Sequence, residues 1–455
     1  MKTIFITIFE GVEAKNILRT PVFATLLAVP DVRVVLLTKN PERVAYLRNE
    51  FHDPRMIYEV VKRPAVRGLD RLFSRLKFTL LKTESTAMAR RMAYEDGGSA
   101  FAYYAGRIAS ALGARPWVRT IVRALDYALV RDDTYAPLFD RYKPDLVFCA
   151  HLFDEPEVHL VREARRRGVR TAGLVNSWDK VTARAIMRLL PDQLIVFNEV
   201  VKDEVMAHNE MAAQDIYVAG QPNYDGHFQP VPSPREDLFS RIGLSPASRL
   251  IVYAPMGSAF SDADWDMTDL LERFAEGGQF GPGAALLVRF QPNDFIDEAE
   301  LRKRPWLHYD YPGRRFSGER GVDWDMDSRD LQHLIDTLYH SALLICYASS
   351  MSVDAAIFDK PVININFEIR PSARRSKSPT QFYRRTHYAK ALATGGIRLV
   401  SSSDDLIRWV RRYLEDPSLD AEGRRRLVAQ QCQFTDGCSG ARVGRLLLTD
   451  LSHLG

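Results

Sequence analysis

The stretch Leu343–Asn366, LLICYASSMSVDAAIFDKPVININ, determines the predicted fold class. It begins with the apolar run Leu343–Tyr347, passes through a turn of small residues into an apolar helical segment at Ser352–Phe358, and returns to an apolar run at Val362–Asn366. Two short apolar runs that flank a helix are typical of buried parallel strands joined by a crossover helix. The same alternation recurs along most of the chain, which predicts an α/β protein.

The chain has 455 residues, which favours two sizeable domains. One βα series starts with the apolar run Ile4–Phe9, and a second starts at Leu250–Ala254. Residues 227–248 contain four prolines and no apolar periodicity, which predicts a linker. We therefore predict an N-terminal α/β domain over 1–226 and a second α/β domain over 249–435. In parallel sheets ligands bind beyond the carboxyl ends of the strands, so two such edges that face across a cleft predict one ligand on each wall.

The composition excludes several classes of protein. The chain holds 62 Lys and Arg against 58 Asp and Glu, a net charge of +4, which does not by itself indicate a nucleic-acid partner, and none is predicted. The four cysteines are far apart in sequence, so neither a disulfide framework nor a structural zinc site is expected, which favours a reducing cytoplasm. The ten histidines are scattered, and no metal site is predicted. No apolar run approaches the ~18 residues that span a bilayer.

Two stretches concentrate positive charge. Residues 62–91 hold nine basic and two acidic residues with leucines at helical spacing, which predicts a basic amphipathic helix suited to anionic lipid headgroups. The same spacing is also typical of a surface helix whose leucines face the core, and this alternative stays open. Residues 370–385 hold six basic residues and no acidic one, so they are suited either to a polyanionic ligand or to solvent.

In the second half, small hydroxyl residues stand where a strand turns into a helix. Backbone N–H groups and the dipole at a helix start favour phosphate oxygens, so Ser349, Ser350 and Ser352 are candidate donors to a nucleotide diphosphate. Asp354 is suited to accept from sugar or ribose hydroxyls. An ordinary helix cap accounts for the same residues, and this alternative also stays open.

Two further strand ends carry candidate donor-binding residues. Arg289 follows an apolar run and has the fork geometry that pairs with a diphosphate, while Gln291 and Asn293 are neutral donors at the same edge. Gly257 follows the first strand of the second half and permits close approach of backbone to a ligand. Each is equally compatible with a solvated loop.

In the first half, strand ends carry candidate catalytic residues. A base that deprotonates an acceptor hydroxyl must be a carboxylate or a histidine within hydrogen-bond reach, and Asp179, Glu13 and His151 are the candidates. Asn16 and Trp178, at the same strand ends, are candidate acceptor-binding residues. Individually each residue also fits a capping or loop role. The turn after the first strand lacks the G-x-G-x-x-G spacing of a Rossmann dinucleotide site.

Three passages carry a resemblance to a known family: Ser177–Thr182 with Asp192–Glu199 and Val218–Asp225, Cys346–Phe367, and His387–Leu451. In this order they resemble GT-B glycosyltransferases, and more closely the branch of CDP-glycerol glycerophosphotransferases and UDP-N-acetylglucosamine 2-epimerase-like transferases. The resemblance implies two Rossmann-like domains and a terminal helix within 436–455 that crosses back to the first domain. Two departures stand out, since Gln291-Pro292 replaces a His-Pro pair and Trp178-Asp179 lies near the position of a His-Gly turn.

These observations predict a metal-independent glycosyltransferase that uses no cofactor and moves a sugar from a nucleotide-sugar donor to a hydroxyl of a surface glycan or lipid-linked acceptor. The alternatives are a glycerol- or ribitol-phosphate transferase with a CDP donor and a non-catalytic GT-B-like scaffold. The expected location is the cytoplasm, with peripheral contact to the anionic inner face of the cell membrane as a further expectation.

Overall fold

The computed structural model describes residues 1–318 and 323–452. The chain divides into two compact units. Unit 1 comprises Met1–Arg90, Ser99–Asp225 and the chain from Cys432 onward, and unit 2 comprises Arg91–Gly98 and Gly226–Gln431. Each unit is built on its own parallel sheet, which confirms the predicted fold class of two Rossmann-like α/β domains.

The sheet of unit 1 places its first strand near the centre. Its strands are β1 (Lys2–Thr7), β2 (Val32–Thr38), β3 (Met56–Val60), β4 (Leu146–Cys149), β5 (Arg170–Leu174), β6 (Gln193–Val196) and β7 (Ile216–Val218). Their order is β3-β2-β1-β4-β5-β6-β7, and Ile4 of β1 pairs in parallel register with Val34 on one side and Leu146 on the other. Continuous apolar runs form these strands because helices cover both faces of a parallel sheet. The connections diverge between β1 and β4, which makes this position a topological switch point.

The helices of the first half surround this sheet. They are α1 (Gly11–Ile17), α2 (Pro21–Leu27), α3 (Pro41–Glu50), α4 (Gly68–Thr79), α5 (Glu84–Glu95), α6 (Ala100–Gly113), α7 (Pro116–Leu129), α8 (Ala136–Tyr142), α9 (Glu155–Arg166) and α10 (Glu199–Asn209). Residues 68–142 contain five separate helices, α4 to α8. Gly97, at φ +96°, and Pro116, at the start of α7, mark two of the breaks.

Unit 2 repeats the architecture with a six-stranded sheet. The described strands of unit 2, of which all but β11 and β12 belong to this sheet, are β8 (Arg249–Ala254), β9 (Ala284–Arg289), β10 (Tyr309–Asp310), β11 (Arg314–Arg315), β12 (Trp324–Asp325), β13 (Leu343–Cys346), β14 (Val362–Ile365) and β15 (Arg398–Val400). The order β10-β9-β8-β13-β14-β15 is parallel and has its switch point between β8 and β13, while β11 and β12 form a separate antiparallel pair.

The helices that accompany these strands begin at the predicted linker. They are α11 (Asp225–Phe228), α12 (Arg235–Arg241), α13 (Asp264–Glu276), α14 (Glu298–Arg302), α15 (Ser328–His340), α16 (Met351–Ile357), α17 (Thr386–Leu392), α18 (Ser403–Glu415) and α19 (Ala421–Gln431). Residues 227–248 are folded into unit 2, because Leu238 and Phe239 of α12 are fully buried. Arg235 donates hydrogen bonds to the carbonyls of Pro246 (2.8 Å) and Ser248 (2.6 Å).

The terminal helix α20 (Ser439–Ser452) packs against α2 in unit 1, as the resemblance implied. Val443 and Leu447 are fully buried in the core of unit 1. Gly440 and Gly444 permit the close approach, since a Cβ atom on Gly444 would lie 2.6 Å from the Cβ of Thr25. Within the described residues, no helix has both the length and the apolar character needed to cross a membrane.

Candidate functional site

Glu13 lies at the switch point of unit 1, in the turn from β1 into α1. Its side chain is fully buried, and one carboxylate oxygen accepts hydrogen bonds from the backbone N–H groups of Phe9 and Glu10, the latter at 3.1 Å. Within the described chain the other oxygen has no hydrogen-bond partner. Burial, together with the negative charge of Glu10, raises the pKa of Glu13 from 4.5 to about 7, and the charge of Lys39 opposes this shift. Glu13 therefore holds its turn and titrates near neutral pH.

His151 follows β4, on the other side of the switch point. It is 1% exposed, and its Nε2 lies 3.3 Å from Asp154 Oδ2. Burial lowers the pKa of His151, and the positive charge of Lys180 lowers it further, which favours the neutral imidazole. Burial alone would raise the pKa of Asp154, but hydrogen bonding to His151 and the charge of Arg184 outweigh it and hold the pKa below its usual range.

Glu157, in the first turn of α9, is a buried carboxylate that the sequence did not single out. It is 1% exposed, and neither oxygen has a hydrogen-bond partner among the described residues. Burial raises the pKa of Glu157 well above its ordinary value, and the charge of Glu13 raises it further. The carboxyl groups of Glu13 and Glu157 are therefore electrostatically linked. An acidic residue in the first turn of a helix is ordinary, so the only sequence signal for Glu157 was its position just after β4.

Asp179 differs from Glu13 and His151 in being half-buried. It follows β5, the neighbour of β4, and Ser177 Oγ donates a hydrogen bond of 2.5 Å to its Oδ1. Trp178 is half-buried and packs against the core of unit 1. A π-helical turn, Lys180–Arg184, begins directly afterwards, and such turns are frequent at functional sites. Of the three predicted bases, Asp179 is therefore the one within reach of a solvent-borne substrate.

Asn16 connects the end of β1 to the end of β5. The amide of Asn16, which is fully buried, donates to the carbonyl of Asn176 at 3.4 Å. Both asparagines are buried, and their side-chain oxygens have no hydrogen-bond partner in the described part of the chain. The predicted residues after β1, β4 and β5 thus lie at the carboxyl ends of three adjacent strands.

Unit 2 contains a pocket of about 290 Å³ beyond the carboxyl ends of β8 and β9. Aromatic rings and aspartates dominate its lining, and Gly257 and Gln291 are the predicted residues that take part. The lining residues are Pro255, Gly257, Ser258, Ser261, Asp262, Asp264, Trp265, Thr268, Phe290, Gln291, Asp294, Phe295, Ile296 and Asp297. Among these described residues, none is Lys or Arg.

Hydrogen bonds from the loop after β8 shape this pocket. Gly257, at φ +88°, donates its N–H to Asp264 at 2.6 Å, and Ser258 donates its N–H (2.6 Å) and its hydroxyl (2.8 Å) to Asp294. Gln291 donates its amide to the carbonyl of Met256 at 2.6 Å. Burial raises the pKa of Asp264. The carboxylates have further acceptor capacity beyond these bonds.

Arg289, proposed from sequence as a diphosphate ligand, is engaged inside unit 2. It is 4% exposed and pairs with Asp310 at 3.0 Å, and His333 lies 2.8 Å from the other oxygen of the same carboxylate. Its charge is therefore balanced within the fold. Asn293 is half-buried and lies in the chain between two residues of the pocket lining, Gln291 and Asp294.

The serines after β13 have different environments. Ser350 is exposed, and Ser349 Oγ accepts from the N–H of Met351 at 3.3 Å, a local bond of the kind found in turns. Ser352 is fully buried, and its hydroxyl lies 2.9 Å from that of Tyr388. The helix that follows, α16, has seven residues.

Asp354 and the basic stretch 370–385 are the remaining predicted features of unit 2. Asp354 is 7% exposed and lies 3.3 Å from His227 Nε2. Arg370 pairs with Asp266 at 2.8 Å and with Asp262 of the pocket lining at 3.8 Å. Lys377 donates to the carbonyl of Ser258, another lining residue. The basic stretch therefore brings positive charge to the rim of a pocket whose own lining is acidic.

Asp70, Glu155 and His159 form a third group, in unit 1, with the residue types of a metal site. Two side-chain cations already lie against its carboxylates. Lys77 pairs with Glu155 at 2.7 Å, and Arg188 pairs with Asp70 at 2.7 Å. The group is therefore part of a buried ion-pair network.

Two parallel α/β units of this topology define a GT-B-type fold, the class to which the solved structures similar to the chain belong. The chain belongs to the CDP-glycerol:poly(glycerophosphate) glycerophosphotransferase family, whose model matches residues 175–449, more than half of the chain. This confirms the resemblance recognised in the sequence. No curated protein matches the chain by sequence.

Solved structures match almost the whole chain at low identity. UDP-GlcNAc 2-epimerase from Neisseria meningitidis, bound to UDP-GlcNAc, has a TM-score of 0.57, 10% identity and 100% coverage of both chains. MnaA of S. aureus with UDP has a TM-score of 0.56 at 10% identity, covering 99% of this chain and 97% of that one. The wall teichoic acid polymerase TagF, as a variant with CDPG, has a TM-score of 0.53 at 13% identity, covering 99% and 89%. At such identities these matches establish the fold alone.

Proposed function

We propose that this member of the glycerophosphotransferase family transfers a sugar from a nucleotide-sugar donor to a hydroxyl of a surface glycan or glycolipid. One observation carries the proposal, namely that the pocket of unit 2 has an aromatic and acidic lining. Carboxylates accept hydrogen bonds from sugar hydroxyls, and the aromatic rings of Trp265 and Phe290 add apolar surface to the same lining, which suits the C–H groups of a sugar ring. The volume of about 290 Å³ is close to the lower end of the range for ligand pockets and suits one ring.

The lining of the pocket is acidic and its rim is basic, so the two regions suit different parts of a nucleotide-sugar donor. A phosphate inside the pocket would lie among the carboxylates of Asp264 and Asp294, and like charges repel. The basic stretch at the rim, with Arg370 and Lys377, suits the diphosphate instead. We therefore assign the neutral sugar to the pocket and the diphosphate to its rim.

Asp179 acts as the base in this proposal because it is the accessible carboxylate beyond β5. It takes the proton of the acceptor hydroxyl, whose oxygen bonds to the anomeric carbon. The bond from that carbon to the diphosphate breaks, and the nucleoside diphosphate leaves with the electron pair. Positive side chains at the rim stabilise the leaving group, so the reaction proceeds without a metal.

A glycerol- or ribitol-phosphate transferase is the second candidate, and the family match over residues 175–449 favours it. In that reaction the acceptor oxygen attacks phosphorus, and CMP leaves a CDP-linked donor. Gln291 stands where the resemblance predicts a histidine, and its amide is bonded to the loop after β8. This departure weighs against phosphate transfer and so adds to the argument from the pocket lining.

Donor turnover by the full chain separates these functions. We expect release of nucleoside diphosphate from at least one nucleotide sugar in the presence of a lipid-linked glycan, unchanged by EDTA. Release of CMP from CDP-glycerol or CDP-ribitol would replace the proposal with the second candidate. No turnover and no thermal shift with any donor would indicate a scaffold.

Two variants with matched controls test the assigned residues. Trp265→Ala should weaken donor binding, whereas Trp306→Ala, a partly exposed tryptophan of unit 2 outside the pocket lining, should not. Asp179→Asn should lower kcat by about 10²–10⁴-fold, as expected for loss of a general base, with donor affinity retained. Asp31→Asn is its control, because Asp31 is exposed and precedes β2, at the opposite edge of the sheet. Full activity of Asp179→Asn would exclude Asp179 as the base.

A further inference from the structure

Helix α5 ends on Glu95, and Asp96 follows directly, so two acidic residues stand at the end of the helix that disfavours negative charge. The C-terminus of a helix carries a partial negative charge and favours Lys, Arg or His, but the last turn of α5 contains no basic residue. Asp96 still belongs to the helix end, because it donates its N–H to the carbonyl of Met92 at 2.9 Å. A role of these carboxylates toward another element accounts for their position, and that element lies in unit 2, to which Arg91–Gly98 belongs.

The partner of Glu95 and Asp96 is a loop after β14, residues 370–378, which we call the basic strap. One oxygen of Asp96 accepts the N–H of Arg375 at 2.5 Å, and the other accepts the N–H of Ser376 at 3.1 Å. Glu95 pairs with the guanidinium of Arg375 at 3.2 Å. The end of α5 therefore holds the backbone of the basic strap in the way that a capping side chain holds a helix start, but from a distant part of the sequence.

The basic strap also contacts the pocket of unit 2. Arg370 pairs with Asp262 at 3.8 Å, and the N–H of Ala373 donates to the same carboxylate at 3.2 Å. Lys377 donates to the carbonyl of Ser258. Asp262 and Ser258 both line the pocket. The basic strap is therefore held by the end of α5 and by the pocket rim.

The two ends of the basic strap are fixed to each other. One oxygen of Glu368 accepts the N–H of Ser372 at 3.1 Å, and the other accepts the hydroxyl of Ser378. The hydroxyl of Ser372 donates to the carbonyl of Lys377 at 3.1 Å. A loop that is already ordered loses little conformational freedom when it binds a ligand, which favours affinity.

The basic strap carries more positive charge than its own contacts balance. Its charged residues are Arg370, Arg374, Arg375 and Lys377. Arg370 and Arg375 pair with carboxylates, whereas Arg374 and Lys377 form no ion pair with any described residue. An ammonium group has three donors, and Lys377 uses one of them on the carbonyl of Ser258. Lys377 can therefore bind an anion at the pocket rim without leaving its place.

We infer that Asp96 is a positioning residue for the diphosphate of the donor. It does not touch the ligand, but it holds the backbone at Arg375 and Ser376 and so keeps Lys377 at the rim. If the basic strap is released, only a fraction of the molecules holds Lys377 in place, and the apparent affinity falls by that fraction. The inference rests on the diphosphate assignment of the proposed function. It does not depend on the choice between sugar and glycerol phosphate transfer, because both candidate donors carry a diphosphate.

Limited trypsin digestion of the full chain, without ligand, tests whether Asp96 holds the basic strap. Trypsin cleaves after Arg374, Arg375 and Lys377, so mass spectrometry of the fragments reports on the strap directly. Asp96→Ala should increase the rate of cleavage at these bonds several-fold, because two N–H groups lose their acceptor. Glu415→Ala is the matched control, since Glu415 is the exposed last residue of α18 in unit 2, and it should leave this rate unchanged. Equal cleavage of the strap in Asp96→Ala and the unaltered protein would overturn the inference.

Calorimetric titration with inorganic pyrophosphate tests the consequence for binding. Asp96→Ala should weaken binding by about three- to tenfold, and Glu415→Ala should not change it. Lys377→Met should also weaken binding, and combining it with Asp96→Ala should add little, because Asp96 acts through Lys377. Losses that simply add would indicate a general structural role and overturn the inference.

The failure of this inference can be told apart from the failure of the proposed function. If the unaltered protein does not bind pyrophosphate, the diphosphate assignment and the positioning role are both wrong. Turnover of a CDP-linked donor alone would replace sugar transfer as the activity. In that case Asp96→Ala should still raise KM for the CDP-linked donor with kcat retained, and a lowered kcat with unchanged KM would overturn the inference.

Discussion

Replacing Glu13 by Gln should change how the stability of unit 1 depends on pH. Burial raises the pKa of Glu13 from 4.5 to about 7 in the folded chain. Between these values the folded state retains a proton that the unfolded chain releases, so the free energy of unfolding falls as pH rises. The stabilisation is complete below pH 4.5 and is lost as pH rises through 7. A glutamine cannot ionise, and its carbonyl oxygen still accepts from the N–H groups of Phe9 and Glu10.

The change in unfolding free energy can be worked out from the pKa shift of Glu13. About 2.5 pKa units at ~1.4 kcal/mol per unit correspond to roughly 3 kcal/mol across the window. Glu157 strengthens the effect, because removing the charge of Glu13 removes one cause of its raised pKa. Relative to the unaltered protein, Glu13→Gln should therefore gain about 3 kcal/mol in unfolding free energy between pH 4.5 and pH 8.

Urea unfolding at a series of pH values measures this gain. The transition of unit 1 should move while that of unit 2 stays unchanged, and the slope with urea should be retained. Glu42→Gln is the control, because Glu42 is exposed and its replacement should leave the pH dependence as it is. Parallel stability curves for Glu13→Gln and the unaltered protein would refute the reasoning.

Three further substitutions test the interactions that stabilise the interior of each unit. Arg188→Met should destabilise the protein by about 3–5 kcal/mol, seen as a lower thermal midpoint, because Asp126 loses a buried partner. Tyr388→Phe should cost about 1–3 kcal/mol without changing donor affinity in a titration, since the hydroxyl that bonds Asn364 at 2.5 Å is lost. Gly444→Leu should displace α20, because the space beside Gly444 is filled by α2, and limited proteolysis should then cleave α20 faster. The reasoning would be wrong if Arg188→Met left the thermal midpoint unchanged, if Tyr388→Phe altered donor affinity, or if Gly444→Leu left the rate of cleavage unchanged.

The strands and their order of alternation with helices were predictable from the sequence. Runs such as Leu343–Cys346 are buried on both faces, so they read as continuous apolar segments with little ambiguity. The packing of α20 against unit 1 was predictable only through the family resemblance. The glycines of α20 permit close contact with another helix, but no local sequence pattern indicates which helix that is. The segment 227–248 was interpreted as a linker from its prolines, whereas Leu238 and Phe239 pack it into unit 2.

The candidate site was less predictable than the fold. The end of a strand can be located from the local sequence, but the residues that contact it come from distant parts of the chain. Ser352 was proposed as a phosphate donor, but Tyr388 covers it from another helix. Trp265, in the first turn of α13, and Asp294, in the loop after β9, both line the pocket of unit 2, and neither has a local sequence signal. Helix periodicity likewise identifies an amphipathic helix without revealing which side faces the interior, so the outward position of Trp117 could not be deduced.

The packing of α20 against α2 imposes an order on folding during synthesis. The ribosome makes α2 and β1 first, but Val443 and Leu447, which complete their core, emerge only after the whole of Gly226–Gln431 has been translated. At 5–20 residues per second that interval lasts roughly 10–40 s. The nascent chain therefore carries an uncovered apolar surface on its first half while its second half can already fold, so chaperones would be expected to act on unit 1.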